Sequence, residues 1–152
     1  MSEKIMFLVD IVLIGLIGLI QSLSLLVFND IKPNLILVFL IVLIFSVKNF
    51  WRYLILVLVA IASLNYFSLF SKELLVFGIT MLLAFYFKSQ LSEHAFLSVI
   101  LLTIALTFIF YLIGDYKFLL NNFNIFTKEL IFNVIGAIIF GFLYNNFNYE
   151  KN

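Results

Sequence analysis

The sequence predicts an all-α integral membrane protein, a bundle of about six transmembrane helices that forms a single domain over residues 1–152. Hydrophobic residues make up 65% of the chain and charged residues 11%, whereas soluble domains have roughly 45–50% and roughly 25%. A chain of 152 residues cannot hide this excess inside a water-soluble globule, because much of any small domain is surface. The apolar residues also form continuous runs without strict alternation, which favours helices over a transmembrane barrel.

Six apolar runs follow one another, separated by short polar turns. A spanning helix needs about 20 mostly apolar residues, and backbone groups in hydrocarbon must find their hydrogen bonds within the segment. The second and fourth runs are short, and whether they cross fully stays open, so five spans are the alternative. The predicted spans are approximately 5–28, 34–47, 53–70, 74–87, 95–113 and 130–144.

Two connections between these runs differ from simple turns. Residues 29–35 separate the first two runs and contain Pro33, the only proline of the chain. Proline suits the first position of a helix, because its missing N–H would have no partner there. We therefore expect Pro33 to open the second helix. Residues 114–126 are rich in Asn and predict an irregular connection before the last span.

The orientation of the chain rests on the distribution of its positive charges. With six spans, one side carries Lys4, Lys48, Arg52, Lys88 and Lys151, and the other carries Lys32, Lys72, Lys117 and Lys128. Cytoplasmic loops carry the excess of Lys and Arg. The five-to-four difference therefore favours a location of both termini in the cytoplasm.

Asp10 is the only charged residue well inside an apolar run. On a helix it shares a face with Gln21. Acids at membrane depth often mark proton or cation pathways. The alternative is an acid that is solvated through the headgroups or bonded to a neighbouring helix. We favour the alternative, because the other spans offer no partner charge for a transport pathway.

Small residues recur on one face of the first run and on one face of the last. Such spacing lets two helix backbones approach closely, and an Asn among them can form a hydrogen bond across the contact. We expect close helix packing, inside the bundle or against a partner; the alternative is that these faces line a substrate cavity. The candidate packing residues are Gly15, Gly18, Ser22, Asn133, Gly136, Ala137 and Gly141.

A second polar pattern lies on the fifth run, where Thr103, Thr107 and Tyr111 follow at intervals of four residues. This stripe could face a cavity. A helix contact is the more common use, with each Thr hydroxyl bonded to its own backbone.

The sequence predicts no catalytic, cofactor-binding or metal-binding residues. The chain has no cysteine, and its single histidine, His94, has no second metal ligand within reach in the sequence. The phosphate-loop, zinc-protease and serine-hydrolase motifs are absent. The net charge of +1 comes from scattered Lys and Arg residues, which does not indicate nucleic-acid binding.

Two short patches, residues 21–37 and 129–133, carry a resemblance to a known family together with the layout of the whole chain. The first span holds Gln21-Ser22-Leu23-Ser24, the next turn leads into Lys32-Pro33-Asn34-Leu35-Ile36-Leu37, and the last span begins with Glu129-Leu130-Ile131-Phe132-Asn133. In length, layout and these segments the chain resembles the bacterial rod-shape-determining protein MreD family. That family usually has Asp at the position of Asn34 and an acid at the position of Asn65. The positions that correspond to its motifs, including these two departures, are Gln21, Ser22, Pro33, Asn34, Leu35, Asn65, Glu129 and Asn133.

The resemblance implies a non-enzymatic scaffold of the cell-elongation machinery in the bacterial cytoplasmic membrane, similar in fold to the S-components of energy-coupling-factor transporters. It implies binding to a bitopic MreC-like protein and support of lateral peptidoglycan synthesis, with MreB, RodA and a class B penicillin-binding transpeptidase in the wider complex. The alternative is a small-molecule transporter subunit, either a vitamin binder like the S-components or a proton-coupled carrier that uses Asp10.

Overall fold

The computed structural model describes residues 3–23, 27, 31–64, 71–88 and 95–149. In this part the chain is all-helical, with seven helices: α1 (Glu3–Ser22), α2 (Leu35–Ser46), α3 (Phe50–Leu64), α4 (Lys72–Phe87), α5 (Ala95–Gly114), α6 (Tyr116–Asn121) and α7 (Phe123–Tyr149). Three segments are long and apolar enough to cross a membrane, namely Glu3–Ser22, Phe96–Gly114 and Phe123–Leu143. The helices α2 and α3 are shorter and also apolar.

The six longer helices alternate in direction. The starts of α1 and α3 meet where Arg52 forms an ion pair with Glu3 at 3.1 Å. At the same end of the bundle, Lys88 follows α4 and reaches the last carbonyls of α2. Gly141, late in α7, lies next to Phe96 at the start of α5. The short helix α6 therefore connects α5 to α7 at the opposite end of the bundle.

Helix α2 forms the centre of the bundle. Its residues 36–44 are all buried, and it contacts α1, α3, α4, α5 and α7. A helix that is apolar on every side is stable only when other helices surround it. Twelve residues give a length of about 18 Å, which is well short of the roughly 30 Å hydrocarbon core of a bilayer. Because α2 is enclosed by protein, it does not have to reach both membrane surfaces.

The helices around α2 bury only one side. In α1 the buried residues are Asp10, Ile14 and Gly18, which follow at intervals of four and so lie on one face. The remaining faces of α1 are apolar and exposed, with side chains such as Leu8 and Val12. In a bilayer these faces would contact lipid.

The start of α2 differs from the prediction. Asn34 is the N-cap of the helix, and Leu35 is its first residue. The predicted position of Pro33 in the first turn is therefore wrong, since Pro33 precedes the cap. The reason is local: the Asn34 side chain accepts a hydrogen bond from the backbone N–H of Leu37 at 3.2 Å, which is the usual N-cap interaction.

The connection before the last span is also more ordered than predicted. Residues 114–126 are largely helical and not irregular, because α6 occupies Tyr116–Asn121 and α7 already begins at Phe123. Asp115 caps α6 by accepting a hydrogen bond from the N–H of Phe118 at 3.0 Å. The asparagines that suggested an irregular loop lie at helix ends and on exposed helix surface.

Helix α3 begins three residues before the predicted third span. Asn49 accepts hydrogen bonds from the N–H groups of Trp51 at 2.8 Å and Arg52 at 3.4 Å, so it fixes the start of the helix. The predicted positions Ser24, Asn65 and His94 lie outside the described residues.

Candidate functional site

A partly buried polar cluster lies at the start of α2 and joins four helices. It consists of Gln21 from α1, Asn34 at the N-cap of α2, Thr107 from α5 and Asn133 from α7, and we call it the polar junction. The first N–H groups of any helix lack partners within the helix. Because the start of α2 is enclosed by protein, these groups must find acceptors on side chains.

Two of these N–H groups are satisfied by Gln21 and Asn34. The Gln21 Oε1 atom accepts a hydrogen bond from the N–H of Ile36 at 3.0 Å. The Gln21 Nε2 atom donates to Asn34 Oδ1 at 3.2 Å, and the same oxygen accepts from the N–H of Leu37 at 3.2 Å. The end of α1 and the start of α2 are therefore held in one hydrogen-bonded unit.

Asn133 extends the polar junction to the other side of α2. Its Oδ1 atom accepts a hydrogen bond from the backbone N–H of Asn34 at 2.9 Å. Its Nδ2 atom donates to Thr107 Oγ1 at 3.3 Å, and both Asn133 and Thr107 are buried. The hydrogen bond between Asn34 and Asn133 joins residues that lie 99 positions apart in the chain.

A second polar pair lies one helical turn from the Thr107–Asn133 contact, between the same two helices. The Tyr111 hydroxyl donates to Glu129 Oε2 at 2.5 Å, a length typical of a hydroxyl bonded to a carboxylate. The Tyr111 ring also stacks on Phe118 of α6, with ring centroids 5.2 Å apart. The pair therefore fixes α5, α6 and α7 relative to one another. It gives Glu129 a partner in its buried position.

The stripe of Thr103, Thr107 and Tyr111 is thus used for contacts within and between helices. Thr103 donates to the carbonyl of Val99, one turn earlier in its own helix, at 2.8 Å. The other two side chains bond to α7. The stripe therefore packs α5 against α7, as predicted for a helix contact.

A cavity of about 210 Å³ lies next to the polar junction, where α1, α2, α3, α4 and α5 come together. Its lining combines one acid, two amides and a hydroxyl with apolar and aromatic side chains. The lining residues are Gln21, Asn34, Leu64, Ser71, Glu73, Leu74, Phe77 and Phe110.

Ser71 and Glu73 bring polar groups to this cavity from the start of α4. Ser71 is the N-cap of α4 and accepts a hydrogen bond from the N–H of Leu74 at 3.4 Å. Glu73 precedes the apolar run that begins at Leu74, and it is exposed. Hydrogen bonds from its own backbone N–H and from Ser71 hold the pKa of Glu73 below its usual value. Glu73 is therefore a carboxylate at neutral pH.

The other end of α2 is also held by a side chain from another helix. The Lys88 Nζ atom donates to the carbonyls of Ile44 at 3.3 Å and Val47 at 2.8 Å. It also lies 3.8 Å from the centre of the Phe85 ring, within the range of a cation–π contact. Burial lowers the pKa of Lys88. Both ends of the central helix are thus satisfied by residues from neighbouring helices.

The four glycines of the two predicted packing faces have different surroundings. A Cβ atom at Gly18 would overlap the Ser63 hydroxyl and lie 2.5 Å from Ser63 Cβ, so α1 and α3 cross closely at this point. Gly136 lies in ordinary contact with α2, and Gly141 with Phe96 of α5. Gly15 has open space where its side chain would be.

The remaining members of the packing faces, Ala137 and Ser22, form contacts within the chain. Ala137 is fully buried in the core. Ser22 donates its hydroxyl to the carbonyl of Leu19 at 2.9 Å. The described residues therefore use both faces mainly within the bundle, and Gly15 is the position that stays open.

Asp10 does not belong to the polar junction. It is buried, but Gln21 lies eleven positions later in the same helix, which corresponds to about 16 Å along the helix axis. It lies toward the end of the bundle where α1 begins. Among the described residues, no group of three or more His, Cys, Asp or Glu side chains could hold a metal ion.

The sequence did not predict two of the polar side chains that define this region. Ser71 and Glu73 are visible in the sequence only as a polar turn. A Ser followed by an acid ahead of an apolar run indicates a helix start. That signal could place the start of α4, but it carries no information about the distance to Gln21.

No family model, curated protein or solved structure matches the chain. Its function must therefore be argued from its own residues. The polar junction consists of side chains bonded to one another and to the backbone of α2, which suits it to holding helices together. The cavity contains a carboxylate and aromatic rings, which suits it to binding.

Proposed function

We propose that the chain is a non-enzymatic scaffold of the MreD type in the bacterial cytoplasmic membrane. In this proposal the six longer helices form the transmembrane bundle, with the short helix α2 enclosed by the others, both termini are cytoplasmic, and lipid surrounds the bundle. The scaffold binds an MreC-like bitopic protein and supports lateral peptidoglycan synthesis together with MreB, RodA and a class B penicillin-binding transpeptidase.

The observation that carries this proposal is the meeting of the segments that resemble the family. Gln21, Asn34 and Asn133 come from three separate segments, and they form one chain of hydrogen bonds. Glu129, from the same segment as Asn133, is buried one turn away. Side chains that hold the central helix in place are expected to recur wherever the same bundle is built. In this proposal these positions have a structural role and need no catalytic one.

The alternation of the six longer helices supports the six-span arrangement. The helices α2, α3 and α4 have 12, 15 and 16 residues, so they are shorter than a usual span. Short helices and turns are tolerated at membrane depth where protein encloses them and satisfies the backbone. The contacts of Lys88 and of the polar junction do this for α2.

Gly15 offers the most suitable place for a partner helix. Of the four glycines on the two small-residue faces, it is the one with no heavy atom within 4 Å of an added Cβ. The same helix exposes large apolar side chains nearby, at Leu8, Val12 and Leu16. A partner helix could approach α1 closely there, as small residues allow.

Co-purification in detergent tests this proposal. We expect the chain to retain an MreC-like bitopic protein, and its depletion to turn rod-shaped cells round. Gly15→Ile should reduce recovery of the partner, because its side chain would block the close approach. Gly114→Ile is the matched control, since Gly114 also has open space around an added Cβ but lies on α5.

Two results would contradict the scaffold role. Depleted cells could keep their rod shape, or no bitopic partner could be recovered from membranes in which the chain is abundant. If Gly15→Ile and Gly114→Ile recover the partner as well as the unchanged chain does, the partner does not dock at Gly15.

A second candidate function is a small-molecule transporter subunit, and the cavity beside the polar junction favours it. Its polar groups come from α1, α2 and α4, and convergence of such groups is typical of ligand sites. A vitamin retained through purification would support a binding subunit. Uptake that is abolished by Asp10→Asn would instead support a proton-coupled carrier.

A further inference from the structure

We infer that the cavity beside the polar junction binds a small primary amine, with the ammonium group at Glu73 and the apolar body against Phe77 and Phe110. This inference does not depend on the scaffold role. For the second candidate function, a small-molecule transporter subunit, the inference names primary amines as the class of ligand.

The volume of the cavity limits the size of the ligand. A dry protein cavity of about 150 Å³ takes up one benzene molecule, and drug-sized ligands occupy about 300–1,000 Å³. At about 210 Å³, the cavity has room for one ring with a short side chain.

The charge of the lining selects a cation. Glu73 is the charged residue among those that line the cavity. Asp115, at the start of α6, adds a second negative charge close enough to influence Glu73. Among the described residues, Lys72 is the positive charge that acts on Glu73; it is exposed and does not line the cavity. An ammonium group would therefore find a favourable potential, and a carboxylate ligand would be repelled.

The hydrogen-bonding groups suit an ammonium group as well. An ammonium group has three N–H donors and no acceptor, so it needs acceptors around it. The Glu73 carboxylate and the Ser71 hydroxyl supply them at the start of α4. Hydrogen bonds between charged groups are about twice as strong as those between neutral groups. Glu73 is exposed, so its charge does not have to be buried before a ligand arrives.

The opposite part of the lining suits an apolar body. Phe77 and Phe110 lie edge to face, with ring centroids 6.5 Å apart. Leu64 and Leu74 complete the apolar wall. An aromatic or short alkyl group can pack against these side chains, and burial of apolar surface contributes roughly 25 cal/mol per Å².

Two sources could supply such a group. One is a free amine, and the other is the ethanolamine headgroup of a membrane lipid, since both present a primary ammonium. The cavity lies near the end of the bundle where α4 begins, so a lipid headgroup could also reach it. Titration in lipid nanodiscs of two compositions distinguishes the free amine from the lipid headgroup.

Calorimetric titration of the purified full chain in detergent tests the site. The probe is 2-phenylethylamine, and 2-phenylethanol is its neutral match in shape. We expect the amine to bind up to about fivefold more tightly than the alcohol, which is the most that an ion pair with an exposed carboxylate contributes. Glu73→Gln should remove this difference. Lys72→Gln, an equally exposed neighbour outside the lining, should leave the amine affinity unchanged or slightly higher.

A second variant tests the location of the ligand. Leu74→Phe adds volume to the wall of the cavity and should weaken binding of the amine while Glu73 stays in place. The inference is overturned if amine and alcohol bind equally, if Glu73→Gln binds the amine as the unchanged chain does, or if no binding occurs at millimolar concentration. These results would leave the scaffold proposal untouched, because that proposal is tested by partner recovery and cell shape.

Reconstitution into lipid nanodiscs then identifies the source of the ammonium group. If the lipid headgroup is the natural occupant, phosphatidylethanolamine discs should show weaker binding of 2-phenylethylamine than phosphatidylcholine discs. Equal affinity in the two kinds of disc assigns the site to a free amine. If Glu73→Gln binds the amine as tightly as the unchanged chain does in both kinds of disc, the inference is overturned.

Discussion

Replacement of Asn133 by leucine tests the polar junction at its most buried point. Leucine has the same number and branching of side-chain heavy atoms as asparagine, although its methyl groups make it somewhat larger, so Asn133→Leu removes two hydrogen bonds without leaving a cavity. The backbone N–H of Asn34 loses its acceptor, and the Thr107 hydroxyl loses its donor. The variant therefore isolates the polar contribution of this position.

The size of the effect follows from these two contacts. Hydrogen bonds between helices in membranes contribute about 0.6 kcal/mol on average and up to about 1.7 kcal/mol. A buried N–H without a partner costs about 1–3 kcal/mol. We therefore expect Asn133→Leu to lower the free energy of unfolding by about 2 kcal/mol. In a double-mutant cycle with Thr107→Val, the coupling energy should be about 0.6 kcal/mol.

Reversible unfolding in mixed micelles, followed by circular dichroism, measures this change. Asn124→Leu is the matched control, since Asn124 is an exposed residue of α7, and it should change stability by less than about 0.5 kcal/mol. If Asn133→Leu is no more destabilising than Asn124→Leu, the polar junction does not hold the bundle together.

Three further predictions concern other contacts, all measured by the same unfolding experiment. Gly18→Ala should lower the free energy of unfolding by about 1–3 kcal/mol, because the new side chain overlaps Ser63. Ser63→Gly in the same chain should restore most of this loss. Gly15→Ala, at an open position, should leave the free energy of unfolding unchanged or raise it by up to about 1 kcal/mol through better helix propensity. Equal effects at Gly18 and Gly15 would exclude a close crossing of α1 and α3. Lys88→Met should lower the free energy of unfolding by about 1–3 kcal/mol, because two carbonyls at the end of α2 lose their donor. Lys72→Met, at an exposed position, should lower it far less. A Lys88→Met variant as stable as Lys72→Met would refute the capping role. Arg52→Gln should change stability by less than about 1 kcal/mol, since its ion pair with Glu3 is exposed and such pairs contribute little; a larger loss would mean that this contact is shielded from solvent.

The apolar runs of the sequence predicted most helices correctly, because length and hydropathy are local properties. The start of α2 was misplaced because two local signals compete there. Pro33 suits a first helical position, but Asn34 caps the helix more effectively with its side chain. The order in residues 114–126 was missed because Asp115 and Asn122 look like loop residues, although they flank helices.

The residues of the polar junction could be selected from the sequence, but their meeting could not be derived from it. Gln21, Asn34 and Asn133 lie in the segments that suggested a resemblance to a known family, and Thr107 belongs to a polar stripe. Contacts between residues 99 positions apart depend on how the helices pack, which no local pattern specifies. The same reason explains why Lys88 and Glu73 were seen only as residues of polar turns.

The central claim is that α2 is an enclosed helix held at both ends by its neighbours, and tryptophan quenching by lipids with brominated acyl chains tests it most directly. In a Trp51→Phe background, one variant carries Phe39→Trp on α2 and another carries Phe142→Trp on α7. Phe39 is 4% exposed and Phe142 is 64% exposed. The enclosed helix predicts strong quenching for Phe142→Trp and weak quenching for Phe39→Trp. Equally strong quenching of both would show that lipid reaches α2, and would contradict this claim.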